Sequence, residues 1–391
     1  VKSKGILVVG GGIFGATAAL SLARRGHKII LLETGVIPEP QASSTDISKL
    51  IRADYGDDHF YTHLMKDAFQ GWRKWNSMFH RTLFHEVGAL LLTKSEMKPG
   101  EFEWESYQCL NAQGYRLRRL KDGLQESEFN TWNARAYLDG YYNPTAGWAE
   151  SGEVTAEVIR LAKEAGVEVR ESEGCSELIK QNVHVCGVRT TQGRDLYADE
   201  IILCAGAWNL KILPELCDVL KLVGQPVIYF RPTDPSAFVP PHFVPWAADI
   251  ARTGWYGFPV NKLGILKIAN HGPGYEIDLS KPLPQVEPET IEAARDFLRS
   301  SIPQAAELPV VDTRVCLYCD SLDGDFLISR HPRLKGLTVA TAGSGHAFKF
   351  APLLGELTAN AVEGIDDERL HRFRWRVSGS QKSEQARYTG E

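Results

Sequence analysis

The sequence predicts an α/β protein: a Rossmann-like dinucleotide-binding domain carrying an inserted mixed-sheet α+β domain. Three observations carry that expectation. A glycine-rich turn joins an apolar strand to a small-residue helix at the start of the chain. Further buried-strand runs recur around residues 201 and 337. Between them lie stretches that alternate strand and turn signals with few helices. At about 150 residues per domain, 391 residues allow two or three domains.

The first element is the apolar run Gly5 to Val9, read as a buried parallel strand. It feeds Gly10-Gly11-Gly12-Ile13-Phe14-Gly15 and a helix to about Arg25, which Gly26 terminates. Lys28 to Leu32 is a second strand ending on Glu33. In this fingerprint Gly10 permits the tight turn, Gly12 lets the backbone approach a pyrophosphate, and Gly15 lets helix pack on strand. The helix start offers free N–H groups to phosphate, and Glu33 is placed to accept hydrogen bonds from a ribose. Strand, turn, helix, strand and acid follow in order, which marks a dinucleotide site but does not choose between FAD and NAD(P).

A helix is expected from about 58 to 79, with Leu64, Ala68, Trp72, Trp75 and Phe79 as its core stripe. Val87 to Thr93 reads as a strand, and the stretch to Tyr142 mixes aromatic, charged and turn residues. A helix over 154–165, strands over 167–170 and 183–190, and a buried strand from Ile201 into a small-residue turn follow. The second insert opens near Val223, with strands at 225–231 and 263–268 and a helix from Pro288 to about Arg299. Leu337 to Ala340 then leads through Gly343-Ser344-Gly345-His346 into a helix over 351–362. The nucleotide domain is thus expected from 1–85, 150–222 and 315–391, and the substrate domain from 86–149 and 223–314. Three separated segments favour FAD and a glutathione-reductase-like flavoprotein over a simple NAD dehydrogenase.

Composition narrows the partners. A hydrophobic fraction of 43% with 24% charged residues excludes extensive disorder. A net charge of -5 without a long Lys/Arg run argues against nucleic acid and against a membrane surface. Seven cysteines, odd in number and widely spread, read as reduced thiols and place the chain inside the cell, by default in the cytoplasm. The apolar start is broken by four glycines and is not read as a signal peptide or a span. Tyr388-Thr389-Gly390-Glu391 forms no peroxisomal tripeptide, so that compartment follows only if a signal has been trimmed. The polar tail from Ser378 to Glu391 is expected to fray.

Cys316-Leu317-Tyr318-Cys319 could be half a zinc site or a redox dithiol, but no second Cys/His pair stands at short spacing. A thioredoxin-type pair would open a helix, whereas Asp320 to Gly324 reads as a turn. Plain burial of both thiols is the remaining reading.

The segments Ser43 to Arg52, Cys316 to Pro332 and Ala340 to Phe350 together resemble the monomeric sarcosine oxidase family. That family includes pipecolate, N-methyltryptophan and saccharopine oxidases and the fungal fructosyl amino acid oxidases (amadoriases). The resemblance covers nearly the whole chain. It implies a monomer that binds FAD, takes a small amino-acid substrate and O2, and yields an imine and hydrogen peroxide. It implies an 8α-S-cysteinyl thioether from Cys316, not Cys319, and an oxygen-activating cation at Lys267. Tyr256, His271 and Tyr318 would line the substrate cavity, with Tyr318 on the wall opposite the other two. Arg52 and Lys349 would clamp the substrate carboxylate. Gly10, Gly12, Gly15, Glu33, Ser43, Ser44, Lys49, Gly343, Gly345, His346 and Lys349 would contact the cofactor.

The chain departs from the family pattern in two directions. Thr45 replaces a common histidine and Lys49 an arginine, and Asp46 with Lys49 is more like the amadoriases. Arg52 and His346 point instead to the sarcosine, pipecolate and saccharopine side. The expected reaction is oxidation of a secondary α-amino acid. Deglycation of a fructosyl amino acid and a biosynthetic oxidation whose imine is trapped are the alternatives. An NAD(P)-dependent dehydrogenase and a non-catalytic flavoprotein with a Cys316/Cys319 dithiol stand further off.

Overall fold

The computed structural model describes residues 3–121, 124, 127–376, 384–388 and 390. Its first sheet has six strands in the order Leu327–Arg330, Leu337–Thr341, Glu200–Leu203, Gly5–Val9, Lys28–Leu32 and Glu168–Arg170. All neighbours pair in parallel except the edge strand Leu327–Arg330. Ile6, Leu7, Val8 and Val9 are buried, as a strand covered on both faces requires. Helix Ile13–Arg24 lies on this sheet against helices Ala351–Glu363 and Ser151–Glu164. One sheet therefore gathers strands from the beginning, middle and end of the chain.

The second sheet runs Tyr275–Glu276, Leu220–Phe230, Leu266–Asn270, Trp255–Phe258, Trp246–Ala248, Ala89–Thr93, Asp139–Asn143 and Arg118–Arg119. Val310–Ser321 pairs along Leu220–Phe230, from Leu220 opposite Ser321 to Phe230 opposite Val310. The rings of Trp246 and Trp255 stack on Phe297 of helix Pro288–Ser301, with centroids 5.3 Å apart in each pair. Cys316 and Tyr318 cluster with Val223, Val227, Tyr229 and Ala269, and Tyr256 packs against them. A small sheet of Lys49–Ile51, Gly147–Ala149 and Phe84–His85 pins the segment that leads to Arg52.

Helix His59–Phe79 starts where Asp58 accepts a hydrogen bond from Tyr61 N. Its expected stripe of Leu64, Ala68, Trp72, Trp75 and Phe79 is buried. Other expectations needed revision. The mixed stretch after Thr93 contains helix Phe102–Ala112 and strand Asp139–Asn143. Strand pairing carries Asp320 and Ser321 into Val310–Ser321, so the turn starts later than the residue types suggest. The tail did not fray where it is described: Ala386 is fully buried, and Tyr388 N donates to His271 O at 3.0 Å. Glu384 and Arg387 find the buried partners Arg52 and Asp320 rather than water. The rest of that expectation, residues 378–383, 389 and 391, lies outside the described residues. No helix among the described residues is long and apolar enough to cross a membrane.

Candidate active site

At the carboxyl ends of the parallel strands lies a cavity of about 470 Å³. Gly10 takes φ +105°, a conformation open to glycine. A Cβ on Gly15 would stand 1.8 Å from Gly10 O, so only glycine permits this approach of helix and strand. Gly12 and the first residues of helix Ile13–Arg24 face the cavity, and Ser44 Oγ accepts from Ile13 N at 2.9 Å. Glu33 is fixed at the cavity edge: Oε2 accepts from Gly11 N and Oε1 from Thr34 N, both at 2.7 Å. Ser43, whose hydroxyl donates to Leu317 O, and Lys49 line the same space. Gly343, Gly345 and His346 close the far side. A helix start, a fixed carboxylate and a wall of small residues fit a dinucleotide. Lys349, expected on this cavity as well, does not line it.

A smaller cavity of about 70 Å³ adjoins the first and shares Lys49, Tyr318, Gly345, His346 and Phe348 as walls. Arg52, Tyr256, Lys267, His271, Lys349 and Glu384 also line it. The residues predicted to catalyse and those predicted to bind carboxylate therefore meet in one place. Tyr318, expected on the wall opposite Tyr256 and His271, instead lies against both: its ring centroid is 6.1 Å from that of His271, and its hydroxyl lies beside that of Tyr256.

Pairing of Leu266–Asn270 with Trp255–Phe258 sets Lys267 opposite Phe258 and Tyr256 opposite Ala269. Lys267 Nζ lies 4.7 Å from the Phe258 ring centroid and donates to Asp46 Oδ2 at 2.6 Å and to Ser48 O at 2.7 Å. Asp46 Oδ1 accepts from Tyr229 OH at 2.8 Å. Burial lowers the Lys267 ammonium to about 8, while Asp46 pulls the other way. Burial alone would raise the Asp46 carboxyl, but Lys267, Lys49 and Arg314 together hold it well below the usual carboxylate range.

At the other end, Arg52 Nη2 donates to Glu384 Oε1 at 2.7 Å, and Lys349 Nζ stands 3.7 Å from the same oxygen. Burial takes Lys349 down to about 7 against the opposing pull of Glu384. Against the cost of its own burial, Lys349 and Arg52 hold Glu384 well below its ordinary value. The Tyr55 ring lies under both cations, at 5.5 Å from Arg52 Cζ and 4.7 Å from Lys349 Nζ. His346 Nδ1 is 2.9 Å from Tyr55 OH and its Nε2 2.9 Å from Gly324 O. Nε2–H donates to the carbonyl, leaving Nδ1 to accept from Tyr55 OH; burial lowers this imidazole to about 4, so it is neutral. Burial likewise lowers His271.

The two C-x-x-C thiols point to opposite faces of Val310–Ser321. Cys316, expected on the cofactor cavity, shares the Tyr318 face but is buried against Val227 and Tyr229 and does not line that cavity, whereas Cys319 lines it with its Sγ 3.7 Å from Thr341 Oγ1. Burial pushes the Cys319 thiol up to about 11.

Four site residues carry no role in the sequence reading. Asp46 enters there only as a family marker, and nothing local singles out Tyr55 or Glu384. Asp54, fully buried two residues from Arg52 and bonded by Tyr141 OH at 2.6 Å, had no signal beyond its neighbour.

The family described as FAD dependent oxidoreductase matches residues 5–361. The chain is 28% identical to amino acid oxidase imqH of Aspergillus flavus, over 93% of this chain and 94% of that one. It is 26% identical to L-saccharopine oxidase of Schizosaccharomyces pombe (96% and 93%) and 25% to human peroxisomal sarcosine oxidase (90% and 90%). Its fold is that of the deglycating fructosamine oxidase (Amadoriase II) of Aspergillus fumigatus, with a TM-score of 0.85 at 23% identity, covering 100% of this chain and 94% of that one.

Proposed function

Because the chain belongs to the FAD dependent oxidoreductase family, we propose that its paired cavities oxidise the C–N bond of a secondary α-amino acid. The substrate class is that of sarcosine, N-methyl amino acids, pipecolate or saccharopine, matching what several relatives are named for. The amine loses two electrons and two protons to become an imine; O2 gains them and leaves as hydrogen peroxide. Bound in the larger cavity, FAD would supply the two-electron chemistry that links these halves.

One observation carries this reading. Arg52 and Lys349 converge on a single carboxylate at a cavity that shares its wall with the nucleotide site. Arg52 and Lys349 bind the substrate carboxylate in that place. Tyr256, Tyr318 and His271 orient the amine beneath the shared wall and keep water out. Lys267, held by Asp46, supplies a cation where oxygen is reduced. Gly10, Gly12 and Gly15 shape the pyrophosphate turn, Glu33 takes the ribose, and Ser43, Ser44, Lys49, Gly343, Gly345 and His346 hold the remainder. Cys316 forms the thioether. The protein works as a monomer, with residues 1–85, 150–222 and 315–391 as its FAD-binding part.

Deglycation of a fructosyl amino acid is the second reading, favoured by Asp46 and Lys49 lying 3.9 Å apart beside Lys267. Peroxide production with sarcosine, L-pipecolate, saccharopine and fructosyl-valine separates the two. Turnover of secondary α-amino acids supports the first, and turnover of fructosyl-valine alone overturns it.

A further inference from the structure

The place between Arg52 and Lys349 is filled by the chain's own carboxylate. Glu384 Oε1 lies 2.7 Å from Arg52 Nη2 and 3.7 Å from Lys349 Nζ, and Oε2 lies 3.4 Å from His271 Nε2. The fit is incomplete: among the described residues, Arg52 Nη1 and His271 Nε2 have no hydrogen-bond partner. A guanidinium prefers two parallel bonds to a carboxylate, and Glu384 accepts only one. The remaining cavity of about 70 Å³ would seat a second carboxylate directly beside this one, and two buried anions sharing one arginine repel.

The segment that delivers Glu384 stands outside both sheets and is anchored through its side chains and one backbone bond. Residues 384–388 form neither helix nor strand, and Ala386 is their one buried apolar side chain, beside the buried carboxylate of Glu384. Gln385 Nε2 donates to Asp57 Oδ1 at 2.6 Å, Arg387 pairs with Asp320, and Tyr388 N donates to His271 O. Because 384–388 belong to no sheet, their release would leave the strand pairing intact.

We propose that Glu384 is an intramolecular competitor for the carboxylate subsite: it occupies the resting clamp, and the substrate carboxylate displaces it together with residues 384–388. This rests on the reading of Arg52 and Lys349 as the clamp. If the open form is about a tenth of the population, removing the competitor raises apparent affinity about tenfold.

The test is calorimetric titration of the flavin-loaded protein with propionate and with propionamide, beside sarcosine turnover. Glu384→Gln should bind propionate about tenfold tighter than the wild type and leave propionamide binding unmoved. A chain lacking 384–391 should behave likewise. If the wild type oxidises sarcosine but Glu384→Gln binds propionate no tighter, the competitor is overturned and the clamp stands. If neither protein binds propionate and no α-amino acid is oxidised, the clamp itself fails and takes the competitor with it.

Discussion

Lys267 and Asp46, 221 residues apart in sequence, form a buried ion pair with Nζ 2.6 Å from Oδ2. Lys267 lines the smaller cavity, which shares a wall with the larger one, and Tyr229 fixes the second carboxylate oxygen of Asp46. Burial works against the ammonium and Asp46 works for it, which leaves Lys267 at about 8. A cation in this position therefore depends on its partner as much as on its own chemistry.

Asp46→Asn removes that support, so the Lys267 pKa falls further. In the wild type, oxygen reactivity should decline as pH rises through about 8, where the ammonium is lost. In Asp46→Asn the decline should move to lower pH. Stopped-flow return of the yellow colour in air, measured from pH 6 to 10, checks the shift; identical profiles would reject the coupling. Lys267→Met should leave anaerobic bleaching by substrate largely intact and slow that return by about a hundredfold.

Arg52 and Glu384 should be energetically coupled. Arg52→Ala leaves the Glu384 carboxylate with Lys349 at 3.7 Å and His271 at 3.4 Å, and because opening of 384–388 relieves it, the cost in stability is about 1 kcal/mol. Adding Glu384→Gln to Arg52→Ala should recover part of that loss. Urea unfolding of the two single variants and the double variant measures the coupling, and strictly additive losses would contradict it.

His346 gives an acid-side signature. Its pKa of about 4 in the folded state lies below the ordinary value of 6.5, so the unfolded chain binds more protons between them. Stability from this residue is complete above pH 6.5 and is lost as pH falls toward 4, by on the order of 3 kcal/mol. His346→Gln should flatten that part of the stability curve. A slope between pH 6.5 and 4 unchanged from wild type would remove His346 as its source.

Gly15→Ala should fold poorly or emerge without flavin, because the new methyl would lie 1.8 Å from Gly10 O. Absorbance near 450 nm per protein reads the cofactor directly. Full occupancy with wild-type stability would show that the turn can relax.

The strand–turn–helix start was legible because Gly10, Gly15 and Glu33 act within one strand–helix–strand unit, where Glu33 accepts from Gly11 N. Arg52, Lys267 and Lys349 were legible only through resemblance, since alone each looks like a solvated charge. Helix Phe102–Ala112 escaped because its buried face includes Glu103 and Ser106, which break the apolar stripe. Burial moves the Glu103 carboxyl up to about 7. Glu384 escaped for a different reason: it meets Arg52 across 332 residues from within a polar tail that composition reads as solvated. Long-range electrostatic pairing leaves no periodic trace.

The thiol assignment is open to a direct chemical check. Cys316→Ala should release all yellow colour on acid precipitation, and Cys319→Ala should retain it in the pellet. Retention by Cys316→Ala would move the linkage to another residue, Cys319 being the one on the cavity wall.

The measurement closest to the central claim is peroxide formed per amine consumed, with sarcosine, L-pipecolate, saccharopine and fructosyl-valine in parallel. The expected result is one peroxide per secondary α-amino acid oxidised, abolished by Arg52→Met or Lys349→Met. Turnover of fructosyl-valine alone, or turnover of an α-amino acid indifferent to both substitutions, would contradict it.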